Sequence, residues 1–521
     1  MTNGDRDVHV TTGVYGVADV RLPTAQEAAD ADRRARDEWH VADGVLMESA
    51  GRAAAMVLDR LFPRGRVVGV AGRGNNGGDL AVMLRTLHAW GRDVLLVPAG
   101  PAPPPDRLFH GFALPSAGEQ ADLHGADVIV DGLLGTGASG PPRDWAAAWI
   151  GRMNEASAPV LALDLPSGAD ATTGHVHADV VHAACTVTFG WPKLGLLLQP
   201  ARQHCGRLVA VEMGFPPGSA AGVAARAITA GWVREHDRPR RPDAHKSSVG
   251  RLLVLAGSDG MAGAAALAVE AALRAGAGLI RVASDGCNRE VLQALVPEAT
   301  FLNRERLEAD HVEKMSAVVA GPGLGRDSTA AAALRRTLQL LPDVPAILDA
   351  DALNVLAQDD ADELTRIAVD RPVVITPHAG ELSRLQGMDI SDIIRHPADA
   401  ARSAARRFGC VVLLKGQPSL VAEANGALWV NTTGSSDVAT AGMGDQLAGT
   451  IGAFLAHGHA PATAATLALY LCGRAADLCG LGRSLVPGDV SRRMFDALRD
   501  PGPEASELDL PFVTFDQPPR W

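Results

Sequence analysis

The stretch "GRGNNGGDL", residues 72–80, follows the apolar run "RVVGVA" and precedes "AVMLRTLHAW", so it stands where a strand passes into a helix. Gly72, Gly74 and Gly77 spell a literal G-x-G-x-x-G, the pattern that lets backbone approach a pyrophosphate at a helix N-terminus. A dinucleotide fingerprint also requires an acid at the end of the following strand to hold the ribose hydroxyls. The next run, "DVLLVPAG", carries Asp93 at its start and ends in Ala99, Gly100 and Pro101. A dehydrogenase is therefore disfavoured. Asn75, Asn76 and Asp79 instead set side-chain oxygens and amides beside glycine backbone, an arrangement suited to phosphate and a hard cation, or simply to capping a tight turn.

Two further runs end in the same way. "VIVDGLLGTGASGPP" carries Asp131, and "LALDLPSGADATTG" carries Asp164, Ser167 and Gly168. Neighbouring parallel strands bring such ends to one sheet edge, so Asn76, Asp131 and Ser167 can share a cation while Asp164 faces a ligand. Each Asp taken singly reads equally well as a turn residue. In the second half, "TAGMGDQLAGTIGAFLAHG" places Gly442, Gly444 and Asp445 at the start of an apolar helix. Backbone N–H groups then make an anion hole beside a carboxylate able to accept a hydroxyl proton; a plain capped helix is the alternative. No G-x-x-x-x-G-K-[ST] occurs, which excludes a P-loop.

The elements that position these residues alternate. After a helical stretch over 12–60, strand-like runs recur at "RVVGVA", "DVLLVPAG", "ADVIVDGLLG", "APVLALDLPSG", "CTVTFG" and "GRLVAVEMG", with helical stretches between several of them. A second series opens at "GRLLVLAG" and continues through "GLIRVAS", "AVVAGPGLG", "VPAILDADALN", "PVVITPHAGEL", "VVLLKG" and "ALWVN". This alternation predicts two α/β domains with parallel sheets. The boundaries expected are a first domain over 1–233 with its core at about 15–225, a Pro- and Arg-rich linker at 234–246, a second domain over 247–500, and a flexible acidic tail at 501–521. The nearly uncharged stretch 446–473 is interrupted by His457, His459 and Pro461, so it reads as helix, turn and buried helix and not as a membrane span.

Composition agrees. The chain has 521 residues, 47% of them hydrophobic and 21% charged, which is globular and long enough for two cores. A formal charge of -12 without a basic block disfavours nucleic acid and acidic membrane surfaces as partners. The six cysteines form no C-x-x-C and read as buried thiols of a cytoplasmic protein. Only Lys193, Lys246, Lys314 and Lys415 are lysines among 48 basic residues, which marks them as positions that want a compact, rotatable ammonium.

"LMESAG", "GRGNNGGD", "DGLLGTG", "LDLPSGADATTG" and "VTFGWPKLG" together resemble the NAD(P)H-hydrate epimerase domain over about residues 15–225. "DAHKSSVGRLLVLAGS", "GPGLG", "LDADALN", "TPHAGEL", "LLKGQPSLV" and "NTTGSSDVATAGMGD" resemble the ribokinase-like ADP/ATP-dependent NAD(P)H-hydrate dehydratase over about 240–498. The resemblance implies a Rossmann-like three-layer α/β domain followed by a ribokinase-like α/β domain, fused into a bifunctional repair enzyme for hydrated NADH and NADPH and forming a homo-oligomer. In the first half it implies substrate binding by Asn75, Asn76, Gly77, Gly78 and Asp79, by the loop Gly135, Thr136, Gly137, Ala138, Ser139, Gly140 and Pro141, and by Asp164, which also acts as acid or base. Potassium is implied at Asn76, Asp131 and Ser167, and Lys193 is a candidate phosphate contact. In the second half the resemblance implies hydrate binding by Ala264, Gly323, His378 and Asp445, with Asp445 catalytic. The adenine nucleotide, with magnesium, is implied at Lys415, Gly416, Gln417, Pro418, Ser419 and Gly444, and ADP is the expected donor. Lys246 in "DAHK" is a further candidate contact.

The family usually carries glycine after "NNGGD", and here Leu80 stands there. That departure leaves open a first half that only binds dinucleotide or serves as an interaction module. A small-molecule kinase fused to an oxidoreductase is a second alternative, against which the missing acid after "DVLLVPAG" argues.

Overall fold

Short apolar runs rich in Val, Leu and Ala, each closed by a Gly- or Asp-bearing turn, are fitted to strands buried on both faces. A computed structural model of the chain describes residues 19–99, 114–118, 121–216, 218–245, 249–359 and 362–519; Lys246 lies outside them. Two compact units result, one running to Arg226 and taking in the segment from Pro503, the other spanning Ala227–Gly502.

In the first unit, α1 (Ala25–Trp39) starts from a Thr24–Glu27 capping box. Strands β1 (Val67–Ala71), β2 (Val94–Pro98), β3 (Val128–Gly132), β4 (Val160–Leu163), β5 (Cys185–Phe189) and β6 (Arg207–Val211) then form a parallel sheet in the order β6-β5-β4-β3-β1-β2. The strand order reverses at β1, and open α/β sheets place ligands at the carboxyl ends beside such a reversal. The alternating faces of the sheet are both covered. Val67, Ala71, Val128 and Val130 share a core with residues of α2 (Asp43–Leu61) and α3 (Asn75–Ala89). Val68, Val70 and Ile129 pack with Trp149, Ile150 and Met153 of α4 (Asp144–Glu155). This is the expected three-layer α/β arrangement.

Close backbone packing explains two of the motif glycines. A Cβ on Gly72 would stand 1.9 Å from the Leu133 carbonyl oxygen, and one on Gly77 would stand 2.0 Å from that of Gly72. Leu80 is fully buried and fills space left by two other glycines, since a Cβ on Gly69 or Gly132 would come within 2.8 Å of its side chain. The departure at Leu80 is thus absorbed by the core under α3, and the side chain does not line the cavity described below. Leu80→Ala is expected to cost about 3 kcal/mol of stability, read from the urea midpoint of unfolding, with the KM for a first-unit substrate unchanged.

The segment expected to be a flexible acidic tail is instead an ordered edge strand. Val513–Gln517 pairs antiparallel with β6, with Val513 opposite Val211 and Gln517 opposite Leu208. Arg207 grips Asp516 through two bonds of 2.8 and 2.7 Å, while Arg202 reaches Gln517 and the Pro518 carbonyl. The alternation of Val513 and Phe515, both buried, outweighs the Pro- and Asp-rich flanks once β6 supplies a ladder. Asp516→Ala leaves the Arg207 guanidinium without its main partner and is expected to cost about 3 kcal/mol, seen as a lower thermal midpoint for the first unit.

In the second unit, β7 (Arg251–Leu255), β8 (Leu279–Ser284), β9 (Thr300–Asn303), β10 (Ala317–Ala320), β11 (Ala346–Leu348), β12 (Val373–Ile375), β13 (Val411–Leu414), β14 (Leu420–Ala422) and β15 (Leu428–Val430) lie in the order β15-β14-β13-β12-β11-β10-β7-β8-β9. All pairs are parallel except β13-β14 and β14-β15. The Ala-rich α5 (Ala262–Arg274) and the Gly-rich α7 (Met443–Ala456) pack in backbone contact, since a Cβ on Gly449 would meet the Ala268 carbonyl oxygen at 2.0 Å. Between them in sequence lies α6 (Ala379–Gln386), and α8 is Pro461–Cys479. The helix-turn-helix reading of 446–473 therefore holds, and no helix among the described residues is long and apolar enough to cross a membrane.

Two other expectations need correction. Residues 234–236 end a helix, Ala230–His236, whose Thr229 cap accepts from the Trp232 N–H, so the expected linker starts inside an element and the unit boundary falls after Arg226. Cys287 is exposed and Cys479 intermediate, while Cys185, Cys205, Cys410 and Cys472 are buried; Cys287 sits in a one-turn 3-10 helix after β8, at the surface.

Candidate active sites

At the carboxyl edge of the first sheet lies a cavity of about 530 Å³, lined among others by Asn75, Asn76, Asp79, Gly135, Asp164 and Lys193. Asn75 to Asp79 form the first turn of α3, capped by Gly74, so the amides of that turn are presented to a ligand. Thr136, Gly137 and Ala138 also line the cavity. Ser139, Gly140 and Pro141 are exposed and lie beyond its lining.

Asp164 directly follows β4 and holds the left-handed φ of +65°, a conformation that costs a non-glycine residue about 1–3 kcal/mol and needs surrounding contacts to hold it. Those contacts are present. Its backbone N–H donates to the Val187 carbonyl, Oδ2 accepts from the Thr136 N–H at 3.2 Å, and Oδ1 accepts from Lys193 Nζ at 2.6 Å. Lys193, read from sequence as a phosphate contact, is instead buried against this carboxylate. Sequence reasoning also missed Asp32 of α1, which lines the same cavity. Burial raises its carboxyl pKa, opposed by Lys193 and reinforced by Asp164. Burial likewise pushes Asp79 well above the usual carboxylate range, with Asp164 and Asp32 adding to it.

Asn76, Asp131 and Ser167 are brought together as expected. Asp131 is fully buried and accepts from the Ser167 N–H and hydroxyl at 2.9 and 2.7 Å and from the Leu133 N–H at 3.1 Å. Burial still pushes it up to about 6 despite those bonds. Asn76 spends its amide N–H groups on the Leu134 and Leu163 carbonyls, and its Oδ1 is buried with no hydrogen-bond partner. Asn76 and the Ser167 hydroxyl both bond the Leu134 backbone, and an orphaned amide oxygen, a desolvated carboxylate and a hydroxyl are oxygen donors of the kind that fit a hard monovalent cation. No group of three or more His, Cys, Asp or Glu poised for a metal occurs among the described residues.

The second unit gathers its site at the carboxyl ends of β10 to β13. Gly442 takes φ +88° and caps α7, so Gly444 and Asp445 stand in the helix's first turn. Lys415, directly after β13, donates to Asp349 Oδ1 at 2.8 Å and approaches Glu381 at 3.8 Å. Burial works to lower its pKa, but the facing Asp349 and Glu381 leave it raised. A Cβ on Gly444 would lie 3.5 Å from Lys415 Nζ and 3.9 Å from Asp349 Oδ2, which sets the first turn of α7 beside the ammonium. Burial pushes Asp445 up to about 7, with Asp349 adding and Lys415 opposing, which suits a proton acceptor working near neutrality.

His378 caps α6 by accepting from the Gly380 and Glu381 N–H groups and bridges to Lys415 across the strand ends. Lys415 to Ser419 form the tight turn from β13 into β14, in which Ser419 Oγ bonds the Gly416 backbone. Ala264 meets Gly323, whose Cβ would stand 2.9 Å from that of Ala264. Asp349 and Glu381 are the residues that sequence reasoning missed. Asp349 directly follows β11, while Glu381 stands in the first turn of α6, and their shared lysine lies at the end of another strand, so no local stretch of sequence pairs them. Gln446 is buried and points to Thr450, away from the anion hole.

Comparison with known proteins agrees with both halves. A family model described as NAD(P)H-hydrate dehydratase matches residues 252–497, and one described as YjeF-related protein N-terminus matches 43–195. The chain is 36% identical over 512 residues to the bifunctional NAD(P)H-hydrate repair enzyme of Moorella thermoacetica, covering 90% of this chain and 95% of that one. It is 35% identical to the enzyme of the same name from Escherichia coli, covering 87% and 88%. Among solved structures, an ADP/ATP-dependent NAD(P)H-hydrate dehydratase from Bacillus subtilis, co-crystallised with ATP and Mg2+, is 30% identical and covers 52% of this chain and 96% of its own, with a TM-score of 0.46. A ribokinase-like superfamily protein from Enterococcus faecalis gives 28%, 53% and 96%, with a TM-score of 0.48.

Proposed function

Because this chain belongs to the family of bifunctional NAD(P)H-hydrate repair enzymes, we propose that its two units divide one repair between them. The first interconverts the R and S hydrates of NADH and NADPH, and the second dehydrates the S form with ADP as the phosphoryl donor. The observation that carries this reading is that each unit brings one acid into a site shaped for phosphate: Asp164 beside the first turn of α3 and Asp445 in the first turn of α7.

In the first unit, the substrate hydroxyl sits on the carbon beside the ring nitrogen, so the centre is a hemiaminal. Asp164 takes the hydroxyl proton; the oxygen forms a carbonyl as the carbon–nitrogen bond breaks and the electron pair passes to the ring nitrogen, conjugated with the carboxamide. The carbonyl turns its other face, the nitrogen adds back, and Asp164 returns the proton to oxygen. Asn76, Asp131 and Ser167 would hold a potassium ion that orders the α3 turn and balances substrate phosphate.

In the second unit, Asp445 accepts the hydroxyl proton as that oxygen attacks the terminal phosphorus of ADP. A new oxygen–phosphorus bond forms, the anhydride bond breaks, and AMP leaves with its electron pair. The α7 amides and Lys415 stabilise charge on the moving phosphoryl group. Phosphate then leaves the ring carbon with its electron pair, pushed by the ring nitrogen, and loss of a proton from the adjacent carbon restores the double bond. Asp349 Oδ2 is the hard donor that would hold a magnesium ion accompanying the nucleotide, which would neutralise phosphate charge.

Parallel assays with S hydrate test the donor. Dihydronicotinamide absorbance returning with ADP faster than with ATP is the expected result; return with ATP alone sinks the ADP assignment, and no return with either sinks the dehydratase assignment.

A further inference from the structure

Lys193 is 4% exposed, and its Nζ lies 2.6 Å from Asp164 Oδ1, 2.9 Å from the Phe189 carbonyl oxygen and 3.1 Å from Thr188 Oγ1. An ammonium has three N–H donors, and these three acceptors take all of them, so none remains for a phosphate. Thr188 and Phe189 are the last residues of β5, which runs beside β4 with Val187 opposite Leu163. The ammonium is therefore anchored on a rigid strand end, next to the strand that carries Asp164.

The two oxygens of Asp164 are consequently unlike. Oδ1 is held by the ammonium. Oδ2 accepts from the Thr136 N–H at 3.2 Å and faces Gly135, where an added Cβ would stand 3.5 Å away. Gly135 and Thr136 line the cavity. A lysine suits this position because a point charge with rotatable donors meets acceptors in three directions, which a planar guanidinium does not.

We propose that Lys193 is a positioning residue for epimerisation: by occupying Oδ1 it locks the Asp164 carboxylate and leaves Oδ2 as the atom that takes and returns the hydroxyl proton. The inference rests on Asp164 as the proton carrier. It assigns the scarce lysine of "WPKLG" to the acid and not to the substrate phosphates.

The test uses the full chain and four variants, Lys193→Met, Lys193→Arg, Asp164→Asn and the Lys193→Met/Asp164→Asn double, with Thr188→Val as a milder probe. Lys193→Met is expected to lower the epimerisation kcat about 10²-fold, the scale of a misplaced catalytic group, with KM within about twofold of wild type. Lys193→Arg should recover part of that loss, and the double variant should be no slower than Asp164→Asn alone. Thr188→Val should lower kcat by a smaller factor at unchanged KM, which keeps the inference testable if Lys193→Met does not fold. A raised KM at unchanged kcat would make Lys193 a phosphate contact and overturn the proposal; so would a wild-type kcat in Lys193→Met, or a double variant far slower than Asp164→Asn. If Asp164→Asn epimerises at the wild-type rate, the parent reading fails and takes this one with it. If Asp164→Asn is inactive while Lys193→Met is fully active, only the positioning role fails.

Discussion

Asp445→Asn is expected to slow dehydration of the S hydrate by about 10³-fold while leaving the R-to-S conversion of the first unit at its wild-type rate. The asparagine keeps the size and polarity of the side chain at the start of α7 but cannot accept the hydroxyl proton. The wild-type pH profile should carry the same signature. Burial, reinforced by Asp349, holds the Asp445 carboxyl at about 7. A base must be ionised, so kcat/KM for dehydration should climb as pH rises through about 7 and level off above it. The sign for stability is the opposite. A carboxyl whose folded pKa lies above its unfolded value binds more protons when folded, so it favours the fold below the unfolded pKa and loses that contribution as pH rises toward about 7. Asp445→Asn should therefore be at least as stable as wild type above neutrality, and its inactivity cannot be charged to unfolding. An unchanged dehydration rate in this variant, or a profile flat through neutrality, would remove Asp445 from the chemistry.

Asp164→Asn is expected to reduce epimerisation by about 10³-fold without affecting dehydration. With an R and S mixture and excess ADP, wild type should consume both forms, while the variant should exhaust the S form and then slow to the spontaneous rate of interconversion. Asparagine leaves Lys193 without its ion-pair partner at 2.6 Å, so the variant should also show a lower thermal midpoint for the first unit. Complete consumption of R hydrate at the wild-type rate would show that another group carries the proton, such as Asp32 or Asp79, which line the same cavity. Absence of R-to-S conversion by wild type would favour a first unit that only binds dinucleotide.

The strands were legible because their signal is local. "RVVGVA", "VIVDG" and "CTVTF" are short, apolar and closed by turn residues, and each forms the strand expected of it. Asn76, Asp131 and Ser167 were likewise legible as a group, because neighbouring parallel strands bring their carboxyl ends and the turns after them to one edge. That Ser139 to Pro141 lie exposed outside the cavity lining was not legible, since nothing in a glycine-rich run says where it turns out to solvent. The edge strand Val513–Gln517 was illegible for another reason: its partner β6 lies about 300 residues earlier, and "FVTFDQ" alone does not outweigh the flanking prolines.

By itself the sequence determined two α/β domains, the motif order that marks the hydrate-repair family, and which residue types gather at the strand ends. These follow from periodicity and turn chemistry, which act over a few residues. Only the tertiary structure decided what each group is paired with. It set Lys193 on Asp164, Lys415 on Asp349 and near Glu381, and Leu80 in the space over Gly69 and Gly132. Burial, which fixes whether Asp445 sits at about 7 or Asp131 at about 6, depends on everything packed around a group. Desolvation and close packing are properties of the whole fold, and no short stretch of chain encodes them.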